Sequence, residues 1–277
     1  MTQLPGYLSR GMSIKLVAID LDGTLLNHRK EIPSEVAQAV REAGAKGIRV
    51  MIASGRLSVS VRHYAAQLEL NGPHICCNGA DIVMGNGEIL HHVELPLSEA
   101  RVCAEFALEH GLQINIYTAT EVLFFDRSEW TERYLQRVPH LNPRFIDLPE
   151  LEEASVSKVL LMDHADRIPL HRAQLTGLLN HDLCRITESE PEYLEVLPLG
   201  VSKGAALKRV ADSLGIQQQE TAAIGDYMND FEMVEWAGFG GAMENATPAL
   251  KSIAKLVVST NDNNGVAEFL AAVGEDR

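Results

Sequence analysis

A chain of 277 residues, 46% hydrophobic and 22% charged, has room for one large globular domain or two modest ones. Its formal net charge of −14 argues against nucleic acid or an anionic membrane as partner, because both need a basic footprint. No apolar run reaches bilayer length, the N-terminus lacks the charged-then-apolar order of a secretory signal, and Cys76, Cys77, Cys103 and Cys184 show no zinc-ligand spacing, so a cytoplasmic protein in a reducing compartment is expected.

Residues 1–11 read as an N-terminal extension. Ile14 to Ile19 is a short apolar run that predicts a buried strand, and it ends in Asp20, Asp22 and Thr24. Two carboxylates leaving an apolar strand need a cation, hydrogen bonds or water. Pro33-Ser34 opens a helix that Gly47 stops. A second strand, Ile48 to Ala53, runs into Ser54-Gly55-Arg56. The next helix has Ser58 as its expected N-cap, and a third strand, His74 to Cys77, runs into Asn78-Gly79-Ala80. This β-α-β-α-β rhythm predicts a parallel sheet. Asp81 to Leu90 then reads as a hairpin, with His91-His92 after it as a solvated pair.

A different block follows, from about 94 to 196. It predicts a helix from Ser98 (as its cap) to His110, strands at Leu112–Tyr117 and Val122–Phe125, and a helix at Trp130–Val138. A loop punctuated by Pro139, Pro143 and Pro149 leads to a strand at Val156–Asp163 and a helix at Pro169–Asn180. Two strands near Cys184–Thr187 and Tyr193–Leu197 complete a small α/β unit with its own sheet, in which no charge constellation names a ligand. The first rhythm returns at Val201-Ser-Lys-Gly204, with Ser202 capping a helix. A strand at Thr221–Ile224 runs into Gly225-Asp-Tyr-Met-Asn-Asp230 and a helix to Gly238; a strand at Phe239–Met243 and C-terminal helices follow. The expected architecture is an α/β fold with a doubly wound, mostly parallel sheet: a discontinuous core of 12–93 and 197–277, with an α/β cap, 94–196, inserted between its halves.

The polar strand ends are expected to meet. In an open parallel sheet, ligands bind beyond the carboxyl ends of the strands where strand order reverses. That requires the first strand to be central, with the second and third strands on one side and the strand ending at Asp226 on the other. Asp20, Asp22 and Asp226 then form an oxygen-rich site suited to Mg²⁺, Asp22 through its main-chain carbonyl. Ser54 and the Gly55 N–H precede a helix, where anions are favoured. Lys203 supplies a mobile positive charge and Asn229 a hydrogen bond to a phosphate oxygen. Asp20 is the candidate nucleophile and Asp22 the candidate general acid and base. Thr24 is expected to orient the loop and Asp22, and Asp230 to support the metal and Lys203 from behind. Arg56 stays outside the catalytic set, as a solvated or structural ion-pair residue no less than a ligand.

Asp-Leu-Asp-Gly-Thr-Leu at 20–25, Ala-Ser-Gly-Arg at 53–56, Val-Ser-Lys-Gly at 201–204 and Gly-Asp-Tyr-Met-Asn-Asp at 225–230 resemble, in order, the four motifs of the haloacid dehalogenase superfamily. With Asn78-Gly79-Ala80 and Ala242-Met-Glu-Asn-Ala246, they are similar to its Cof-type sugar phosphatases. The resemblance implies a Rossmann-like core and Mg²⁺-dependent hydrolysis of a small phosphorylated metabolite through an aspartyl-phosphate. It also implies catalytic Asp20, Asp22 and Lys203, and phosphate- or substrate-binding Leu21, Thr24, Ser54, Gly55, Lys203 and Asn229. A phosphomutase of the same superfamily would share every motif, and a non-catalytic phosphometabolite-binding protein is the remaining alternative. Tyr117, Tyr193 and Glu195 are the cap residues to examine for substrate choice. Nothing in the sequence specifies an oligomeric state.

Overall fold

The computed structural model describes residues 13–138, 141 and 143–274. The expected N-terminal extension, 1–11, and Pro139 lie outside the described residues.

The chain begins with β1 (Leu16–Asp20), α1 (Ser34–Ala45), β2 (Arg49–Ala53), α2 (Ser58–Gln67), β3 (Pro73–Cys76), β4 (Asp81–Met84) and β5 (Ile89–His92). It continues into α3 (Leu97–His110), β6 (Gln113–Tyr117), β7 (Val122–Phe124), α4 (Glu129–Arg137), β8 (Arg144–Phe145), β9 (Lys158–Met162), α5 (Ile168–Thr176), β10 (Cys184–Glu190) and β11 (Tyr193–Pro198). It closes with α6 (Lys203–Ser213), β12 (Thr221–Gly225), α7 (Phe231–Trp236), β13 (Phe239–Met243), α8 (Pro248–Ile253), β14 (Leu256–Val258) and α9 (Gly265–Val273). Among the described residues no helix is long and apolar enough to cross a membrane.

Two sheets result. The first runs β14-β13-β12-β1-β2-β3-β4-β5, parallel from β14 to β3 and antiparallel at β4 and β5. β1 is central, as the meeting of the polar strand ends requires. It is buried on both faces, which is why it reads as a continuous apolar run rather than an alternating one. Val17 and Ile19 pack toward α1, α2 and α9, through Val36, Val40, Val61 and Phe269. Leu16 and Ala18 pack toward α6 and α7, through Leu207, Val210 and Met233.

The second sheet runs β10-β11-β9-β6-β7-β8. Its two faces differ because successive strand residues point to opposite sides. Val159, Leu161, Leu194 and Val196 face α3 and α5 in one apolar cluster. The alternate residues Lys158, Leu160, Tyr193 and Glu195 face a cavity shared with the first sheet.

Several local expectations needed correction. Ser58 and Ser98 do not cap their helices: the N-cap positions are Leu57 and Pro96, with no side-chain cap bond at either. Ser58 is the first residue of its helix and Ser98 the second. Ser202 does cap α6, accepting a hydrogen bond from Ala205 N at 3.1 Å. His92 is not a solvated side chain: its Nδ1 lies 2.6 Å from the buried Asp81 carboxylate. Where the sequence predicts loop and helix, the structure has the strands β8 and β14; they are two and three residues long, too short to show a period.

Candidate active site

Four of the parallel strands of the first sheet run into a polar residue in or beside a single crevice. β1 ends at Asp20, β2 runs into Ser54, β3 into Asn78, and β12 into Asp226. The cavity there encloses about 590 Å³, part of it open to solvent. Asp20, Asp22, Ser54, Gly55, Arg56, Asp226 and Asn229 line it from the first sheet. Tyr117, Lys158, Ser189, Glu190, Tyr193 and Glu195 line it from the second sheet, and Tyr134 and Arg137 from α4.

Lys203 organises the carboxylates. It is fully buried, and its Nζ donates to Asp20 Oδ1 and to Asp230 Oδ1, each at 2.6 Å. It is therefore a fixed charge rather than the mobile one expected. Burial by itself would lower the Lys203 ammonium pKa, but Asp20 and Asp230 hold it above its ordinary range. Asp230 is fully buried too; its Oδ2 accepts from the Asp226 and Tyr227 N–H groups at 3.0 and 3.2 Å. It thereby ties Lys203 to the loop that carries Asp226.

Asp20 Oδ2 is buried and has no hydrogen-bond partner. Burial, and then the Asp230 charge, push the Asp20 carboxyl up to about 7 against the pull of Lys203. Burial and the Asp20 charge hold Asp226 well above the usual carboxylate range. Asp20, Asp226 and Asp230 present oxygens within 4.8 Å of one another. This is more negative charge than one lysine balances, and an orphaned carboxylate oxygen faces it; the set fits a hard divalent cation.

Asp22 does not join that group. Arg56 grips it from two directions, Nε to Oδ2 and Nη2 to Oδ1, both at 2.7 Å, and Lys30 Nζ reaches Oδ1 at 2.7 Å. Desolvation would raise its pKa, but the Arg56 and Lys30 charges hold it well below the usual range. Thr24 serves a different carboxylate from the one expected: its hydroxyl donates to Asp226 Oδ1 at 3.2 Å. Ser54 Oγ accepts from the Arg56 N–H at 3.1 Å. The Leu21 side chain lies in the hydrophobic core, so only its main chain is available to a ligand.

Sequence reasoning missed Arg137, Lys158 and Glu190 at this site. Lys158 and Glu195 form a buried ion pair, and Arg137 forks onto Glu190 while also donating to Tyr193 Oη at 2.7 Å. A usable signal existed: Lys158 and Glu195 are charges set inside apolar strands, which bury ions only in pairs. Tyr117, Tyr193 and Glu195, singled out for inspection, all line the cavity.

With this geometry in view, the comparisons with known proteins speak directly. Residues 17–270 match the model of the family described as haloacid dehalogenase-like hydrolase. A Streptococcus pyogenes protein named provisionally as a phosphatase is 36% identical over 94% of this chain and 98% of its own length. The Bacillus subtilis 5-amino-6-(5-phospho-D-ribitylamino)uracil phosphatase YcsE is 31% identical over 94% of this chain and 95% of its own. The crystal structure of a haloacid dehalogenase-like hydrolase from Bacteroides thetaiotaomicron superimposes with a TM-score of 0.82 at 30% identity, covering 94% of this chain and all of that one. The chain belongs to the haloacid dehalogenase-like hydrolases. Within that family it is an enzyme of the phosphatase kind.

Proposed function

We propose that the protein is a Mg²⁺-dependent phosphomonoesterase that releases orthophosphate from a small, polyhydroxylated metabolite through an aspartyl-phosphate on Asp20. The observation that carries this reading is the division of the Asp20 carboxylate: Oδ1 is held by Lys203 and Oδ2 has no partner. A nucleophilic oxygen needs that freedom, while the lysine fixes its direction.

In the first half-reaction Asp20 Oδ2 attacks phosphorus and the bond from phosphorus to the ester oxygen breaks. Asp22 gives its proton to the departing oxygen. Asp22 must first be released from Arg56, and a phosphate seated at Ser54 and Gly55 offers the guanidinium a competing, doubly charged acceptor. Loss of that clamp lets Asp22 take up the proton it will donate. In the second half-reaction Asp22 takes a proton from water as the water attacks phosphorus, and Asp20 leaves as a free carboxylate. Asn229, at the crevice wall, donates to a phosphate oxygen. Mg²⁺, held by Asp20, the Asp22 main-chain carbonyl and Asp226 with Asp230 behind them, would neutralise charge between nucleophile and phosphate.

Residues 94–196 act as the cap over this crevice. Their contribution to the cavity is charge-balanced, Arg137 with Glu190 and Lys158 with Glu195, and adds the hydroxyls of Tyr117, Tyr134, Tyr193 and Ser189. Alternating donors and acceptors without net charge suit a leaving group rich in hydroxyls better than a second anion. The ribityl chain named in the substrate of the Bacillus relative has that character.

The test is orthophosphate release from a panel of phosphorylated metabolites, with Mg²⁺ and with chelator, by wild type and Asp20→Asn. Mg²⁺-dependent release that disappears in Asp20→Asn supports the assignment. Wild-type rates from Asp20→Asn would overturn it, and ester isomerisation without orthophosphate release would move the assignment to a phosphomutase.

A further inference from the structure

Asn78 belongs to the Asn78-Gly79-Ala80 segment, which the steps above leave without a role. It is 1% exposed and sits where three parts of the site meet. Its main-chain N–H donates to the Ser54 carbonyl at 3.0 Å, beneath the turn that carries Gly55. Its side-chain Oδ1 accepts from Asn229 Nδ2 at 3.0 Å. Its Nδ2 donates to Glu195 Oε2 at 2.7 Å, the oxygen that also receives Lys158. Ser189 donates to the other Glu195 oxygen. The chain Asn229–Asn78–Glu195–Lys158 is a continuous buried polar path from the first sheet to the second.

We infer that Asn78 is a positioning residue that couples closure of the cap to the orientation of Asn229. It does not line the cavity, so it acts through its neighbours. Two features fix the place of its side chain, though not the rotation of the amide. The backbone at Asn78 has φ 56°, in the left-handed region that asparagine tolerates better than most residues. A Cβ built on Gly55 would come within 3.0 Å of Asn78 Oδ1, so the amide fills the space that the missing side chain leaves under the turn. An amide offers one acceptor and donors at the other end of the same planar group. Asn229 is therefore aimed at a phosphate only while the donor end is engaged by Glu195, which requires the second sheet to be docked. With the cap lifted, Glu195 and Lys158 go to solvent and the amide loses the partner that fixes its rotation. The consequence is that phosphate affinity and cap closure rise and fall together, by a coupling that is reciprocal.

The inference rests on the reading of Asn229 as a phosphate ligand, and a donor–acceptor swap tests it separately. Asn78→Gly accepts the backbone conformation and removes both bonds. Asn78→Asp keeps the acceptor for Asn229 but sets a carboxylate against Glu195. Glu195→Gln in the same chain restores a donor, now on the opposite side, with the net charge of the pair unchanged. The readouts are kcat and KM for p-nitrophenyl phosphate and for the best metabolite ester, affinity for inorganic orthophosphate in Mg²⁺ by calorimetry, and thermal unfolding as a check on folding.

Asn78→Gly is expected to weaken orthophosphate binding and to lower kcat on both esters by about tenfold, because the loss is upstream of the leaving group. Asn78→Asp is expected to raise KM, and the double variant to exceed the product of the two single effects by about tenfold in kcat/KM. Unchanged orthophosphate affinity in a folded Asn78→Gly, or strictly multiplicative effects in the double variant, would overturn the coupling. Absence of turnover in wild type would count against the proposed hydrolysis alone, since orthophosphate binding would still decide the role of Asn78.

Discussion

Arg56 and Asp22, 34 residues apart in the chain, meet as a two-pronged ion pair with both N···O distances at 2.7 Å. The pair lines the crevice and keeps the candidate acid as an ionised carboxylate gripped by a cation. Arg56→Lys keeps the charge but loses the planar fork. It is expected to lower kcat/KM by about tenfold to a hundredfold through loss of bidentate phosphate binding. Steady-state kinetics on a phosphomonoester check this, and an unchanged KM would leave Arg56 with only a structural part.

Lys203 is the single cation between two buried carboxylates, Asp20 and Asp230. Lys203→Met leaves both uncompensated, so the variant should lose turnover and about 3–5 kcal/mol of stability, as when one partner of a buried ion pair is removed. Denaturant unfolding measures the second effect. A melt equal to wild type would show that the carboxylates find another partner.

Stability should depend on pH in a direction opposite to that of ordinary carboxylates. The Asp20 pKa is raised to about 7 in the folded chain from 3.8, so the folded state binds the proton more tightly than the unfolded one. That contribution is complete below the unfolded value and is lost as pH rises from 3.8 to about 7, with Asp226 adding in the same sense. In chelator, the unfolding midpoint is expected to fall across this window. Mg²⁺ should restore it most strongly at the alkaline end, where both carboxylates are ionised. Calorimetric scans at several pH values, with and without Mg²⁺, test the sign; a stabilisation by Mg²⁺ that shrinks as pH rises would contradict it.

Gly23 and Thr24 both shape the Asp226 carboxylate. Gly23 has φ 77°, and a Cβ there would come within 2.4 Å of Asp226 Oδ2. Gly23→Ala therefore combines backbone strain with displacement of a proposed metal ligand, and should abolish Mg²⁺-dependent activity. Thr24→Val keeps the shape and removes only the hydrogen bond to Asp226. It is expected to raise the Mg²⁺ concentration for half-activity by about tenfold, the usual effect of losing a group that orients a ligand. Equal Mg²⁺ titrations of Thr24→Val and wild type would show that this hydrogen bond does not orient a metal ligand.

The four cysteines should be inert in the folded protein. All are buried, and burial pushes all four thiols above their ordinary range, Cys184 to about 11. A thiol reagent is expected to modify them only after denaturation, because the thiolate is the reactive form. Rapid labelling of the native protein would show that the strands opening onto Cys76 and Cys77 fray.

What could be read from the chain alone was whatever is written into contiguous residues. β1 is legible because a strand buried on both faces must be apolar throughout, and Asp20 and Asp22 because charges that end such a strand stand out against it. The β-α-β rhythm predicts a parallel sheet, whereas the central place of β1, which the meeting of Asp20, Ser54 and Asp226 requires, is fixed by the tertiary structure. Four motifs in sequence named the family. The tertiary structure alone decided which group holds which. Thr24 could be assigned to Asp22 from proximity in sequence, yet it serves Asp226, which is 202 residues away. A lysine side chain is long and reads as mobile, but two carboxylates, Asp20 at the end of β1 and Asp230 in the turn before α7, immobilise it. Lys158 and Glu195 announce by their apolar surroundings that each needs a partner, but neither they nor Arg56 and Asn78 show which one: hydrogen bonds and ion pairs act over a few ångströms of space, and the packing of two sheets, which no stretch of chain encodes by itself, sets those distances.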